Sequence, residues 1–188
     1  MSVASRFPSD EELVQRSVAG SRDAFGLLVL RHARMVRAIC MARIGSREVD
    51  DASQEVFLRA YRGLSRLESA ASFPAYLGQI ARNFCVDHIR SSPRHRTTSL
   101  DEVELEVEDR RSGDSHEPDD RTTRLRREIA RLPENQRECL LLFHFEELSY
   151  QEIADVLGLT AAAVNQRLSR ARARLRSLLA DGDEGGAA

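Results

Sequence analysis

Lysine is missing altogether, so all 28 basic side chains among the 188 residues are arginines. That bias is ascribed first to G+C-rich coding and says little about function. Cysteine is scarce: Cys40, Cys85 and Cys139 are too few and too scattered for a disulfide framework, and no pair has the C-x-x-C spacing, so a reducing compartment is expected. No apolar run approaches the roughly 20 residues needed to span a bilayer. The N-terminal stretch carries Ser9, Asp10, Glu11 and Glu12 where a signal peptide would have an apolar core. The expectation is a cytoplasmic protein without membrane insertion. Strand signals are absent too, apart from the alternation Val103-Glu104-Leu105-Glu106-Val107, whose charge density argues against a packed strand. No nucleophile elbow, phosphate loop or H-E-x-x-H occurs, so neither catalytic residues nor a cofactor are expected.

What is present is helical periodicity. With 41% apolar residues the chain can build real cores in one ordinary domain or two small ones. Amphipathic segments fill 10–92, with Gly20, Gly45 and Gly63 between them, until Ser91-Ser92-Pro93 stops the last helix. From 99 to 120 the composition turns acidic, and 93–122 reads as a linker whose carboxylates either mimic phosphates or form a solvated spacer. Periodicity resumes over 123–180, and 181–188 is a Gly- and Ala-rich tail. The net charge of −2 thus averages an acidic middle against an Arg-rich end. The fold expected is all-α: two small helical domains joined by a flexible acidic linker.

In the second domain Ser149-Tyr150-Gln151-Glu152 is a capping box that starts a helix. Gly158 suits a left-handed C-cap for it, and Thr160 can cap the next helix. Two short helices with a tight turn make a helix-turn-helix, whose second helix enters the DNA major groove. On that helix Val164, Leu168, Ala171 and Leu175 form the core stripe. Asn165, Ser169, Arg172 and Arg176 share one flank, with Gln166 just beyond, a donor and acceptor set suited to base edges. Arg167, Arg170 and Arg174 gather on the other, suited to phosphates.

In the first domain the segment 48–64 has Val49, Ala52, Val56, Phe57 and Ala60 inward and Asp51, Gln54, Glu55 and Arg62 outward, with Leu58 among the charges. This is open to two readings: a protein-docking face centred on Leu58, or an ordinary exposed leucine. In 72–90, Leu77, Ile80, Ala81 and Phe84 point inward, and Tyr76, Gln79, Asn83, Asp87 and Arg90 line another face. That row suits stacking and hydrogen bonding of an unpaired base, and reads equally as a plain polar helix face.

Several of these segments resemble the extracytoplasmic-function sigma factors of bacteria: Gly20 to Phe25, Asp50-Asp51-Ala52-Ser53-Gln54-Glu55-Val56-Phe57, Ile80-Ala81-Arg82-Asn83, Leu132-Pro133-Glu134, Ser149 to Ala154, and Val164 to Arg172. The resemblance implies a sigma region 2 helical bundle and a sigma region 4 helix-turn-helix, with core RNA polymerase and promoter DNA as partners and an anti-sigma factor as a further one. It implies that Asp51, Gln54 and Glu55 bind core polymerase, and Leu58, at the centre of the same helix face, is expected to join them. Tyr76, Gln79, Arg82, Asn83, Asp87 and Arg90 would meet the minus-ten element. Asn165, Gln166, Ser169 and Arg172 would read the minus-thirty-five element, with Arg167, Arg170 and Arg174 beside them on phosphates. Tyr76 stands where the family usually has Trp, and Asn165-Gln166 replaces the commoner basic-Ser pair. The alternative is a metal- or thiol-responsive helix-turn-helix repressor, whose raw material is Cys85 with His88, Cys139 with His144, and Cys40.

Overall fold

The computed structural model describes residues 8–67, 69, 72–91, 120–145 and 147–181; the acidic stretch and the tail lie outside them. Among the described residues the regular structure is helical. Helices α1 (Asp10–Val18), α2 (Arg22–Ile44), α3 (Val49–Gly63) and α4 (Phe73–Ser91) make a first group, and a single 3₁₀ turn (Leu64–Arg66) follows α3. Helices α5 (Asp120–Ala130), α6 (Glu134–Phe145), α7 (Tyr150–Leu157) and α8 (Ala161–Asp181) make the second.

Local chemistry sets the helix ends. Ser9 and Glu12 form a reciprocal capping box at α1 with bonds of 3.2 and 3.0 Å, and Ser149 and Glu152 repeat it at α7 with 3.2 and 2.8 Å. The first box escaped the sequence reading, which took those residues only as the absence of an apolar leader. Gly158 adopts φ 65°, ψ 43°, the left-handed cap that stops α7, and the Thr160 hydroxyl accepts from the Ala163 amide at 3.2 Å to open α8. α2 ends at Gly45, again at positive φ.

Long α2 is the axis of the first group, packing against α1, α3 and α4. The inward stripe read from the sequence of α3 is buried throughout. In the second group Val164, Leu168 and Ala171 of α8 are fully buried against α6 and α7, with Leu175 partly covered.

The periodicity gave no sign that the groups share an interface. α2 packs on α6 and α4 packs on α7. The charged residues within the apolar run of α6 explain how. Glu138, 2% exposed, accepts two bonds from the Arg43 guanidinium at 3.2 and 3.3 Å, and Glu134 pairs with the same guanidinium at 2.7 Å. Buried Arg137 donates to the Ala42 carbonyl at 2.6 Å and to the Ala130 carbonyl. Both carbonyls lie in the last turns of their helices, where no amide of the same helix reaches them. The Arg137 guanidinium therefore caps two helix C-termini at once, one in each group.

Candidate polymerase and promoter interfaces

Three exposed faces carry the residues that the sequence singles out. On α3, Asp51 and Gln54 are exposed, and Glu55 is half-buried in a pair with Arg59 at 2.9 Å. Leu58 is 51% exposed amid these charges. Leu58 is not alone among exposed apolar side chains in this group. Tyr61 is also exposed, and so are Leu27 and Leu30 of α2, the latter at 77%. The Arg37–Asp50 ion pair at one end of the α2/α3 packing and the Phe25 and Tyr61 rings, 4.8 Å apart, at the other fix the two helices antiparallel. Leu30 faces solvent on the neighbouring helix. The signal was the run Leu27-Leu28-Val29-Leu30: four consecutive apolar positions cannot all face one core, because successive side chains lie about 100° apart.

On α4, Gln79, Asn83, Asp87 and Arg90 are exposed along one side, and the other expected residues are engaged. Tyr76 is half-buried, donating its hydroxyl to the Ala60 carbonyl at 3.2 Å, and burial pushes its phenol up. Gly63 leaves the space: a β-carbon there would collide with the Tyr76 hydroxyl. Tyr76 therefore pins the end of α3 to α4 instead of standing free. Arg82 is half-buried and donates to the Leu157 carbonyl of α7 at 2.5 Å.

On α8, Asn165, Gln166, Ser169, Arg170 and Arg174 are exposed. The other two expected residues are not. Arg172 lays its guanidinium over the Phe143 ring, 5.1 Å from the centroid. Arg167 is half-buried, close enough to lower the Cys139 thiol and to act on Arg82. Each of the two flanks read from the sequence, the mixed one and the cationic one, thus has one arginine turned inward.

The metal and thiol reading loses its raw material here. Cys85 points into the core against Cys40, and hydrogen bonding to that thiol, then burial, push it up; burial pushes Cys139 up to about 11. His88 instead pairs with the Glu48 carboxylate, and His144 lies edge-on to Phe143 at 5.0 Å. Among the described residues no three His, Cys, Asp or Glu side chains gather as a metal site would require. Because all three thiols are buried, they should resist Ellman's reagent in the native protein and react once it is unfolded in guanidinium. Rapid modification of one thiol in native buffer would revive a sensing role.

A family model described as Sigma-70 region 2 matches residues 28–95, and one described as Sigma-70, region 4 matches residues 122–175. The ECF RNA polymerase sigma factor SigM of Mycobacterium tuberculosis is 34% identical over 174 residues, 91% of this chain and 85% of that protein. The probable RNA polymerase sigma factor RfaY of Xanthomonas campestris is 37% identical over 172 residues; the match takes in 87% of this chain but only 42% of that longer protein. Among solved structures, CnrH in complex with the cytosolic domain of CnrY superposes with a TM-score of 0.65 at 28% identity, covering 92% of this chain and 97% of CnrH.

Proposed function

The chain belongs to the extracytoplasmic-function sigma factors of the sigma-70 family, and from that premise we propose that it binds core RNA polymerase and directs it to particular promoters in the cytoplasm, without catalysing a reaction of its own. The observation that carries this reading is that one chain combines a capped helix-turn-helix, with Asn165, Gln166 and Ser169 exposed, and a helical bundle, with Leu58 exposed among carboxylates. A DNA reader alone would have no use for the second face.

By this reading the α3 face docks on the polymerase through Leu58, with Asp51, Gln54 and Glu55 as the polar rim that such a contact needs. The exposed side of α4, with Gln79, Asn83, Asp87 and Arg90, meets the minus-ten strand, where taking a base from the stack costs a few kcal/mol that edge hydrogen bonds must offset. Tyr76, tied to Ala60, serves that strand by fixing where α4 leaves the loop. The exposed residues of α8 take the minus-thirty-five element. An anti-sigma factor is the further partner this reading allows, in line with the second protein bound to CnrH.

Run-off transcription tests the assignment. Core polymerase supplied with this chain should start at discrete sites on a library of upstream genomic fragments, and Leu58→Arg should abolish the products while leaving helicity unchanged. Buried apolar centres of such contacts are worth about 2 kcal/mol or more, so the variant should lose at least ~30-fold in competition for core polymerase. Wild-type competition by a folded Leu58→Arg protein would show the docking face to be elsewhere.

A further inference from the structure

We propose that two copies of the free chain pair through α2, laid antiparallel across a two-fold axis, with Leu27 of each against Leu30 of the other and Asp23 against Arg34. All four side chains are exposed, and Leu27 and Leu30 keep 45% and 77% of their surface. A helix turns about 100° per residue, so Asp23, Leu27, Leu30 and Arg34 fall within roughly 60° of one another and make one stripe about three turns long. The neighbouring helices lie off that stripe. Asp10 of α1 is bound at Arg31 and His32, and α3 meets α2 at Phe25 and Arg37.

The order of the side chains singles out a second copy as the occupant. From Asp23 through Leu27 and Leu30 to Arg34 the steps are four, three and four residues, the same from either end. Reversing the helix and laying it on itself therefore brings the partner's Arg34 to Asp23 and the partner's Leu30 to Leu27. Each contact is made twice, as an isologous interface requires. Opposite charges meet at both ends and enclose the leucines, giving an apolar centre with a polar rim. A parallel pairing would instead set like charges on each other. The flanking Arg31 and Arg37 carry their own carboxylates, Asp10 and Asp50. Gly26 borders the stripe inside the helix, where glycine is less favourable than alanine, yet a β-carbon there would meet nothing within 4 Å. Packing within one copy thus has no use for that glycine, whereas a second helix seated on the stripe gains room to come close. With two leucines from each copy the contact is small beside the about 1,600 Å² of a standard interface, so the pairing is weak and reversible.

The test uses the full chain without polymerase or DNA. Sedimentation equilibrium between about 5 and 500 µM should show the average mass of the wild type rising from 21.2 kDa toward twice that value. Leu30→Arg should stay at the monomer mass throughout. Asp23→Arg and Arg34→Asp each set like charges against one another twice and should weaken association at least ~10-fold. An equimolar mixture of those two variants should associate as the wild type does, because each then meets the opposite charge at both ends. Circular dichroism should show unchanged helix content, and Leu30→Arg, at an exposed position, keeps the test valid if a charge reversal disturbs folding. A wild type that stays at the monomer mass over the whole range overturns the pairing, and so does association that Leu30→Arg leaves unchanged. If the mixture fails to associate, the antiparallel register is wrong. Loss of competition for core polymerase by Leu30→Arg, with a wild type that never self-associates, would assign the stripe to the polymerase instead. Sedimentation reads the pairing whether or not the chain supports transcription, so failure in the run-off assay and failure here are separate results.

Discussion

Leu168→Ala should destabilise the helix-turn-helix by about 2–5 kcal/mol, the range for removing a fully buried leucine whose neighbours collapse only in part. Leu168 is the middle of the stripe that Val164 and Ala171 complete, and all three are fully buried where α8 meets α6 and α7. The second group is small, so such a loss is a large share of its own stability. Arg170→Ala, on the same helix but exposed, is the matched control and should stay within about 0.5 kcal/mol. Urea unfolding followed by circular dichroism would measure both. If the two halves unfold in separate steps, the change should fall on the step that Arg137→Ala also moves, because Arg137 caps α5 within the second group as well as α2 in the first. Equal midpoints for Leu168→Ala and Arg170→Ala would mean that α8 is not held by this stripe.

In holoenzyme on a promoter with a fixed minus-ten element and a randomised upstream element, Asn165→Ala should cost about 1–3 kcal/mol at the preferred sequence and relax preference at one or two base positions. Arg170→Ala and Arg174→Ala should weaken every sequence about equally and reduce the salt slope by roughly one unit each, since each gives up a phosphate. The division follows from exposure: Asn165, Gln166 and Ser169 stand free on one flank and Arg170 and Arg174 on the other. Arg172 and Arg167 separate from their flanks for identifiable reasons. Arg172 must leave the Phe143 ring to reach a base, so Phe143→Leu should shift its contribution while Asn165 keeps its own. Arg167 stands beside Cys139 and Arg82, and its alanine variant should act on DNA less than those of Arg170 and Arg174. Selection of sequences at two salt concentrations would decide. A changed preferred sequence with Arg174→Ala and uniform weakening with Asn165→Ala would mean that the helix enters the groove rotated from this placement.

The two arginine sets show where sequence reading stops. Helix positions, the capping box of α7, the left-handed Gly158 and the inward stripes of α3 and α8 were legible because each depends on residues within about four positions of one another, where backbone geometry fixes who faces whom. The exposed Leu58, Asn83 and Asn165 were legible for the same reason: they sit opposite a stripe that had to be buried. The family resemblance then attached roles to those faces, which spacing alone left open between docking surface and plain solvated helix.

What the sequence could not decide was the fate of each arginine. Arg43, Arg82, Arg137, Arg167 and Arg172 look like the exposed arginines around them, and an amphipathic pattern places them on outer faces. Their partners, Glu138 for Arg43, Leu157 for Arg82, Ala42 for Arg137, are 75 to 95 positions distant. Such pairs exist only because α6 and α7 pack on α2 and α4, which brings orphan carbonyls at helix ends within reach of long side chains whose desolvation they offset. The sequence by itself determined the helices, their caps and the faces they bury one by one. The tertiary structure decided which cations remain exposed, because a helix surface becomes interior only when a second helix, remote in the chain, is laid upon it.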